Sequence, residues 1–428
     1  MLLSAAHESP RLAARVKRHA RASHLDDRVD DDEDDEEDDV DGIIVIDDVI
    51  ASRIARRRRE PAARSVDESR CTFSTRHSMT APVITFDDVR AADARIAHLI
   101  TRTPVRSDCT AHVLGEPSTS SPVTVHLKCE MFQRGGSFKH RGASNAVLLA
   151  AEDGARVVTC HSSGNHAAAV AGAAAACGLR SIIVVPKDIA KTKLEATRAA
   201  GGDVRFSGES TVPSREEAVR VVLEECPGAV FIHPYDDARV MAGQGTLGLE
   251  FIEQRPELDC VFVPISGGGM IGGIATAVKA VNSSCEIWAC EPAGVDGVGA
   301  DAARSFVEKK LVDDLPPPKT ICDGLRAKMG HTSYDTFHRL VDNVVTVSDD
   351  DIIDAMRVVY DKCKLVVEPS GAAGVAAVRV AARDGVGLVS RKTGKAFKNI
   401  GIILCGGNLD LSVLFDKIHG DIERLRGK

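Results

Sequence analysis

A lysine set among glycine, serine and phenylalanine, in Gly136-Ser137-Phe138-Lys139-His140-Arg141-Gly142-Ala143, has the surroundings of a nucleophilic amine. An amine forms Schiff bases with carbonyl compounds only when it is partly desolvated, because burial favours its neutral form. By composition alone such a lysine is more often a surface residue. A second stretch, Ser266-Gly267-Gly268-Gly269-Met270, follows a strand-like run and opens a helix-like one. Glycines let successive backbone N–H groups converge there, and a helix N-terminus adds partial positive charge, so a phosphate suits the loop. It is neither the dinucleotide fingerprint nor a Walker loop, whose lysine and spacing it lacks, and plain packing is the alternative. Three further loops group polar residues: His161-Ser162-Ser163-Gly164-Asn165-His166, Glu368-Pro369-Ser370-Gly371 and Cys405-Gly406-Gly407-Asn408.

The elements around these loops set their positions. From Ile84 onward short apolar runs alternate with helical patterns. Strands are expected at Arg156–Cys160, Ser181–Val185, Val204–Phe206, Ala229–His233, Cys260–Ile265, Glu286–Cys290 and Asn399–Leu404. Helices are expected from the alanine-rich run ending near Gly178, from Lys191 to Ala200 and from Glu216 to Glu225. This alternation implies an α/β protein with mostly parallel sheets covered on both faces. Such sheets bind ligands beyond the carboxyl ends of their strands, where the loops above fall.

The chain has 428 residues, 44% of them hydrophobic, enough for a large core in one two-lobed unit or two domains. No apolar run is long enough for a membrane span. The net charge of −8 is dominated by one block, Asp26 to Asp41, with thirteen acids and one arginine. Without it the remainder carries a small positive balance and no basic face that argues for nucleic acid. Residues 1–81 combine a basic, acid-poor start, the acidic block and the basic run Arg56–Arg59, a composition expected to be disordered. The start also has the character of a transit peptide, and Met79 is an alternative initiation point. The twelve cysteines show no metal-ligand spacing, and Cys160, Cys260, Cys290 and Cys405 sit in apolar runs. They read as reduced thiols in a cytoplasmic setting, with organelle import as the alternative.

Taken together and in order, the five loops resemble the tryptophan-synthase-β-like (fold type II) pyridoxal-phosphate enzymes, and within them the serine racemase and serine/threonine dehydratase group. Lys128-Cys-Glu-Met-Phe-Gln133, Ala242-Gly-Gln-Gly-Thr246 and Asp323-Gly324 strengthen the likeness, which runs from about Ile84 to the C-terminus. Little chain follows Leu411, so no regulatory domain of the biosynthetic threonine dehydratase kind is expected. The resemblance implies that Lys139 carries pyridoxal 5'-phosphate as a Schiff base and moves the α-proton. It assigns the phosphate to Ser266, Gly267, Gly268, Gly269 and Met270, and the phenolic oxygen to Asn165. Phe138 and Gly324 would flank the ring, with Cys405 at its pyridine nitrogen. Ser162, Ser163, Gly164, Asn165 and His166 would hold the substrate carboxylate, with Arg215 on the substrate side.

A neutral thiol at Cys405 would leave the ring a weaker electron sink than a carboxylate would, which suits short-lived carbanions. Racemisation needs proton donors on both faces of the cofactor plane, and a hydroxyl at Ser163 supplies the second. The bland alternative for Ser163 is a helix cap. The resemblance also implies a divalent cation (Mg²⁺, Ca²⁺ or Mn²⁺) on Glu291, Val295 and Asp296, although Gly297 stands where the family's aspartate is expected. The expectation is a homodimer with a large cofactor domain, residues 82–155 and 237–428, and a small mobile domain, residues 156–236. The activity implied is serine racemisation with β-elimination to pyruvate and ammonia. The alternative is a serine/threonine or hydroxyaspartate dehydratase, which Tyr235-Asp236-Asp237 resembles.

Overall fold

Apolar β-branched runs too short for helices pair laterally, and among the described residues they form ten strands. The computed structural model describes residues 83–115, 123–294, 297, 299–383 and 387–411. The expected N-terminal extension, its transit peptide and Met79 lie outside these residues. In chain order the strands are β1 (Val105–Arg106), β2 (Thr124–Cys129), β3 (Val157–His161), β4 (Arg180–Val185) and β5 (Asp203–Phe206). They continue as β6 (Val230–Phe231), β7 (Cys260–Pro264), β8 (Glu286–Pro292), β9 (Asn343–Val347) and β10 (Asn399–Leu404).

Two sheets result: a six-stranded one ordered β1-β2-β10-β7-β8-β9 and a four-stranded one ordered β5-β4-β3-β6. All pairings are parallel except β1 with β2, an antiparallel edge of two residues. The period of two in a strand sends alternate side chains to opposite faces. On β7, Cys260 and Phe262 join the core under the helices Asp349–Asp361 and Pro369–Arg383. Val261 and Val263 join the core under Ala238–Gln254 and Gly269–Val281. The four-stranded sheet divides in the same way: Cys160 and Ile183 lie under the helices Lys139–Glu152 and Asn165–Ala176. Ile182 and Val184 lie under Val212–Glu225. No helix among the described residues is long and apolar enough to cross a membrane.

The segment Ala242–Thr246 has a packing function. A Cβ on Gly243 would lie 2.7 Å from Gly142 Cα and 2.8 Å from the Arg141 carbonyl, so the helices Lys139–Glu152 and Ala238–Gln254 touch backbone to backbone. That contact fixes the helix whose first residue is Lys139.

Candidate active site

The chain reaches Lys139 from β2 through two short 3-10 turns, Glu130–Phe132 and Arg134–Gly136. It is then tied to the end of β10. Ser137 pairs with Gly406, the Phe138 N–H donates to the Cys405 carbonyl at 3.0 Å, and the Gly407 N–H donates to the Gly136 carbonyl at 3.0 Å. Behind Lys139, Arg141 is fully buried and donates to both Glu130 oxygens at 2.8 Å and to Glu250 at 3.0 Å. Lys128, also fully buried, pairs with the same Glu250 and donates to the Thr103 carbonyl at 2.9 Å. Buried charges are costly unless paired and hydrogen-bonded, and these four neutralise one another.

Lys139 itself is half-buried, its Nζ donating to the Pro234 carbonyl at 2.7 Å and lying 5.2 Å from the Phe138 ring centroid. Desolvation pushes its amine down to about 8. The neutral form that a Schiff-base nucleophile requires is therefore far more populated near physiological pH than in an exposed lysine, although it is still the minority there.

Beyond the carboxyl end of β3, Ser162, Ser163 and Gly164 form a half-buried loop that enters the helix Asn165–Ala176. Ser162 Oγ accepts from the Gly164 N–H at 3.3 Å. Among the described residues the Ser163 hydroxyl has no hydrogen-bond partner, so it is not spent as a helix cap. Asn165 donates from Nδ2 to Glu368 at 2.8 Å and accepts from Asn408 Nδ2 at 2.8 Å. Burial, and then the charge of Asp323, push the Glu368 carboxyl up to about 7. Nothing local in the Glu-Pro-Ser-Gly loop marks Glu368 for this role, which exists only where Asn165 meets it.

The floor of the site joins two of the expected residues, Gly324 and Cys405, through Ser370. The Gly324 N–H donates to Ser370 Oγ at 3.1 Å, and the Cys405 thiol donates to the Ser370 carbonyl at 3.3 Å. Burial pushes the Cys405 thiol well up, so it stays neutral. Ser370 was not singled out, because nothing local marks a serine as the bridge between residues far apart in sequence.

The glycine loop leaves β7 and opens the helix Gly269–Val281, whose N-terminus has no side-chain cap. Gly268 has φ +90°, a left-handed conformation that only glycine adopts without strain. A Cβ at Gly267 would fall 2.2 Å from the Tyr235 ring, and one at Gly269 would fall 2.4 Å from the Tyr235 carbonyl. Ser266 Oγ is used to hold the loop, donating to the Ala327 carbonyl at 2.8 Å and accepting from its N–H at 2.9 Å. Against Gly268 stands Ser333, whose buried hydroxyl has no partner. An uncapped helix N-terminus, a loop closed to any side chain and an orphaned hydroxyl form a cradle for an oxyanion. The residues present therefore fit the phosphate of a pyridoxal cofactor, with Lys139 as its amine.

A wall of rings completes the site. His161 stacks on Phe231 with centroids 5.4 Å apart, and His233 meets Tyr235 edge-on at 4.7 Å. Burial pushes His161 and His233 down to about 4, so both are neutral, and it pushes Tyr235 up to about 12. His166 is buried, with Nε2 directed to the Ile232 carbonyl at 3.1 Å and Nδ1 without a partner. Arg215 lies electrostatically close to His161 and Tyr235, and its Nε is buried without a partner. An unpaired buried guanidinium nitrogen suits a carboxylate ligand.

Glu291 lies apart, at the end of β8. Its two oxygens accept from the Ala302 N–H at 2.8 Å and the Ala303 N–H at 2.7 Å. Burial, and then Asp301, push its carboxyl up to about 8. Val295 and Asp296, the other expected ligands, lie outside the described residues. Among the described residues no group of three or more His, Cys, Asp or Glu is arranged to hold a metal. Glu291 and Asp301 are both buried, and Asp301 likewise accepts a backbone N–H, that of Met329 at 2.8 Å. The described cysteines are free.

Fold and site together define the class: the chain belongs to the pyridoxal-phosphate dependent enzymes, whose family model matches residues 96–406. Within that family it is similar to the serine racemase of Arabidopsis thaliana, 46% identical over 329 residues, covering 77% of this chain and 94% of that one. Among solved structures it matches maize serine racemase with a TM-score of 0.71 and 41% identity, over 80% of this chain and 99% of that one. It also matches a T.th. threonine deaminase, with a TM-score of 0.67 and 35% identity, over 77% of this chain and all of that one. The expected fold type II architecture, pyridoxal phosphate and an amino-acid substrate follow from these likenesses.

Proposed function

We propose that this chain is a serine racemase that also eliminates water from L-serine, yielding D-serine and, in parallel, pyruvate and ammonia. The reading is supported by a desolvated lysine amine, at about 8, that acts electrostatically on His166 in the first turn after the Ser163 loop, where the serine hydroxyl caps no helix. Pyridoxal phosphate, when bound, supplies an electron sink that makes the substrate α-proton removable. Gly267, Gly268, Gly269, Met270 and Ser333 would hold its phosphate, Phe138 and Gly324 would flank its ring, and Asn165 and Cys405 would face its polar edges. Ser162 to His166 and Arg215 orient the substrate carboxylate. Lys139 Nζ takes the α-proton on one face. Ser163 Oγ gives or takes a proton on the other, which inverts the centre. β-Elimination needs only the lysine face.

The small domain, roughly residues 156–236, closes over the substrate against residues 82–155 and 237–428. The working form is a homodimer in the cytoplasm, a setting supported by the free, buried cysteines. A divalent cation, where present, would be held by Glu291 with Val295 and Asp296, and the buried Asp301 that acts on Glu291 could add an oxygen.

The second reading is a serine/threonine or hydroxyaspartate dehydratase without useful racemisation, supported by the likeness of Tyr235-Asp236-Asp237 to dehydratases and by the structural match to a threonine deaminase. Cofactor-loaded wild type and Ser163→Ala are incubated with L-serine while D-serine and pyruvate are followed together. The expected result is both products from the wild type, and loss of D-serine with much of the pyruvate retained in the variant. Pyruvate alone from the wild type would establish the dehydratase. Equal loss of both products in the variant would make Ser163 a substrate-positioning group.

A further inference from the structure

Lys193 and Asp323 form an ion pair that the reaction scheme above does not use. Lys193 lies on the helix Lys191–Ala199, which follows β4 of the four-stranded sheet. Asp323 opens the 3-10 turn Asp323–Leu325, which packs on the other side of the cleft and carries Gly324. Gly324 is fastened to Ser370, and Ser370 to Cys405. The pair therefore joins a helix of the small sheet to the turn that forms part of the site floor. A second link crosses the same cleft, from Asn165 at the head of the helix Asn165–Ala176 to Glu368 beside Ser370. Both partners of the ion pair are about one-third exposed, 35% and 37%, so solvent screens them and either can be replaced without opening the core.

We propose that Lys193 is a positioning residue: its ion pair with Asp323 holds the small sheet against the Gly324 turn and keeps Asn165 in register with Glu368. The proposal rests on the reading of this cleft as the amino-acid site. It has an electrostatic consequence, because Asp323 and Lys193 act on Glu368 in opposite senses. Burial first and Asp323 second raise the Glu368 carboxyl, while Asn165 and then Lys193 lower it. Lys139, Cys405 and Cys322 are the other titratable groups that face Glu368. Neither Lys139 nor the two cysteines is altered by a change at Lys193.

The test compares the wild type with Lys193→Met, Asp323→Asn and the charge swap Lys193→Asp with Asp323→Lys. Steady-state kinetics with L-serine are measured across pH 6–9 at low and high salt. Backbone hydrogen exchange is measured over residues 162–176 and 321–326, with and without cofactor. Lys193→Met is expected to raise KM for L-serine about two- to five-fold with a smaller change in kcat, the size of a screened surface pair. It should move the Glu368 carboxyl titration, followed by carbon NMR, up by about 0.3–0.5 unit, whereas Asp323→Asn should move it down by a similar amount. The swap should restore much of the KM, and high salt should shrink every difference. Hydrogen exchange should rise at residues 165–168 in both single variants. Shifts of the same sign in the two variants, or unchanged KM and exchange, would overturn the proposal. If the wild type turns over no amino acid, the functional reading fails. The exchange comparison then still decides whether the pair holds the two elements together.

Discussion

At the scale of single residues, Lys139 was legible and its activation was not. Its neighbours in sequence marked a candidate amine, but the desolvation that lowers it comes from the Pro234 segment and the Cys405 strand end, remote in sequence. The consequence is measurable. Below about pH 8 the Lys139 amine is mostly protonated and cannot attack a carbonyl; above it the neutral form dominates. The rate at which cofactor-free protein takes up pyridoxal phosphate should rise about tenfold per pH unit below pH 8 and flatten above it, as expected for attack by the neutral amine alone. Stopped-flow absorbance of the bound chromophore reads this directly. A plateau reached only near pH 10 would mean that Lys139 is as solvated as a surface lysine. Glu368, Ser333 and Ser370 were missed for a related reason. Glutamate and serine carry no local signature of a site, and their roles exist only where the fold brings Asn165, the glycine loop and the Cys405 strand end beside them.

At the scale of elements, the glycines of the helix Ala238–Gln254 argue that helix–helix contact, rather than propensity, decides this segment. Glycine is a poor helix former, yet Gly243, Gly245 and Gly248 occupy one helix because each faces backbone or a branched side chain too close for a methyl. Gly243→Ala should therefore push the helices Lys139–Glu152 and Ala238–Gln254 apart and cost about 1–3 kcal/mol, the usual cost of overpacking. The check is a lowered denaturation midpoint with an unchanged slope. Loss of stability should also loosen the first turn of the Lys139 helix, and with it cofactor retention. Strand positions were largely readable here: β10 was expected and found at Asn399–Leu404, and β7 and β4 differ by one residue at an end. The helix expected from Glu216 starts at Val212, because Thr211 caps it and Pro213 is tolerated in a first turn. The strand expected over Ala229–His233 is cut to Val230–Phe231, since His233 turns out of the ladder to accept from the Tyr235 and Asp236 N–H groups.

At the scale of the whole molecule, the buried titratable groups set a stability profile that a near-neutral surface would not suggest. A carboxyl whose folded pKa lies above its unfolded value holds extra protons when folded, so stability falls as pH rises between the two. Glu291 acts over the interval from 4.5 to about 8 and Glu368 from 4.5 to about 7. Histidines pushed down act the other way. His161 and His233, at about 4 against 6.5, remove stability as pH falls through that interval, because the unfolded chain takes up the protons. The cofactor-free protein should therefore be most stable near about pH 6 and lose stability on both sides. A divalent cation at Glu291 and Asp301 would favour their ionised forms and lift the alkaline side selectively. Adding Mg²⁺, Ca²⁺ or Mn²⁺ should then raise Tm more at pH 8 than at pH 5.5. Glu291→Gln should flatten the alkaline fall and abolish the cation effect together. If Glu291→Gln flattens the fall while no cation moves the wild-type Tm at pH 8, Glu291 serves only to hold the first turn of the helix Asp301–Glu308, and the proposed cation site is wrong.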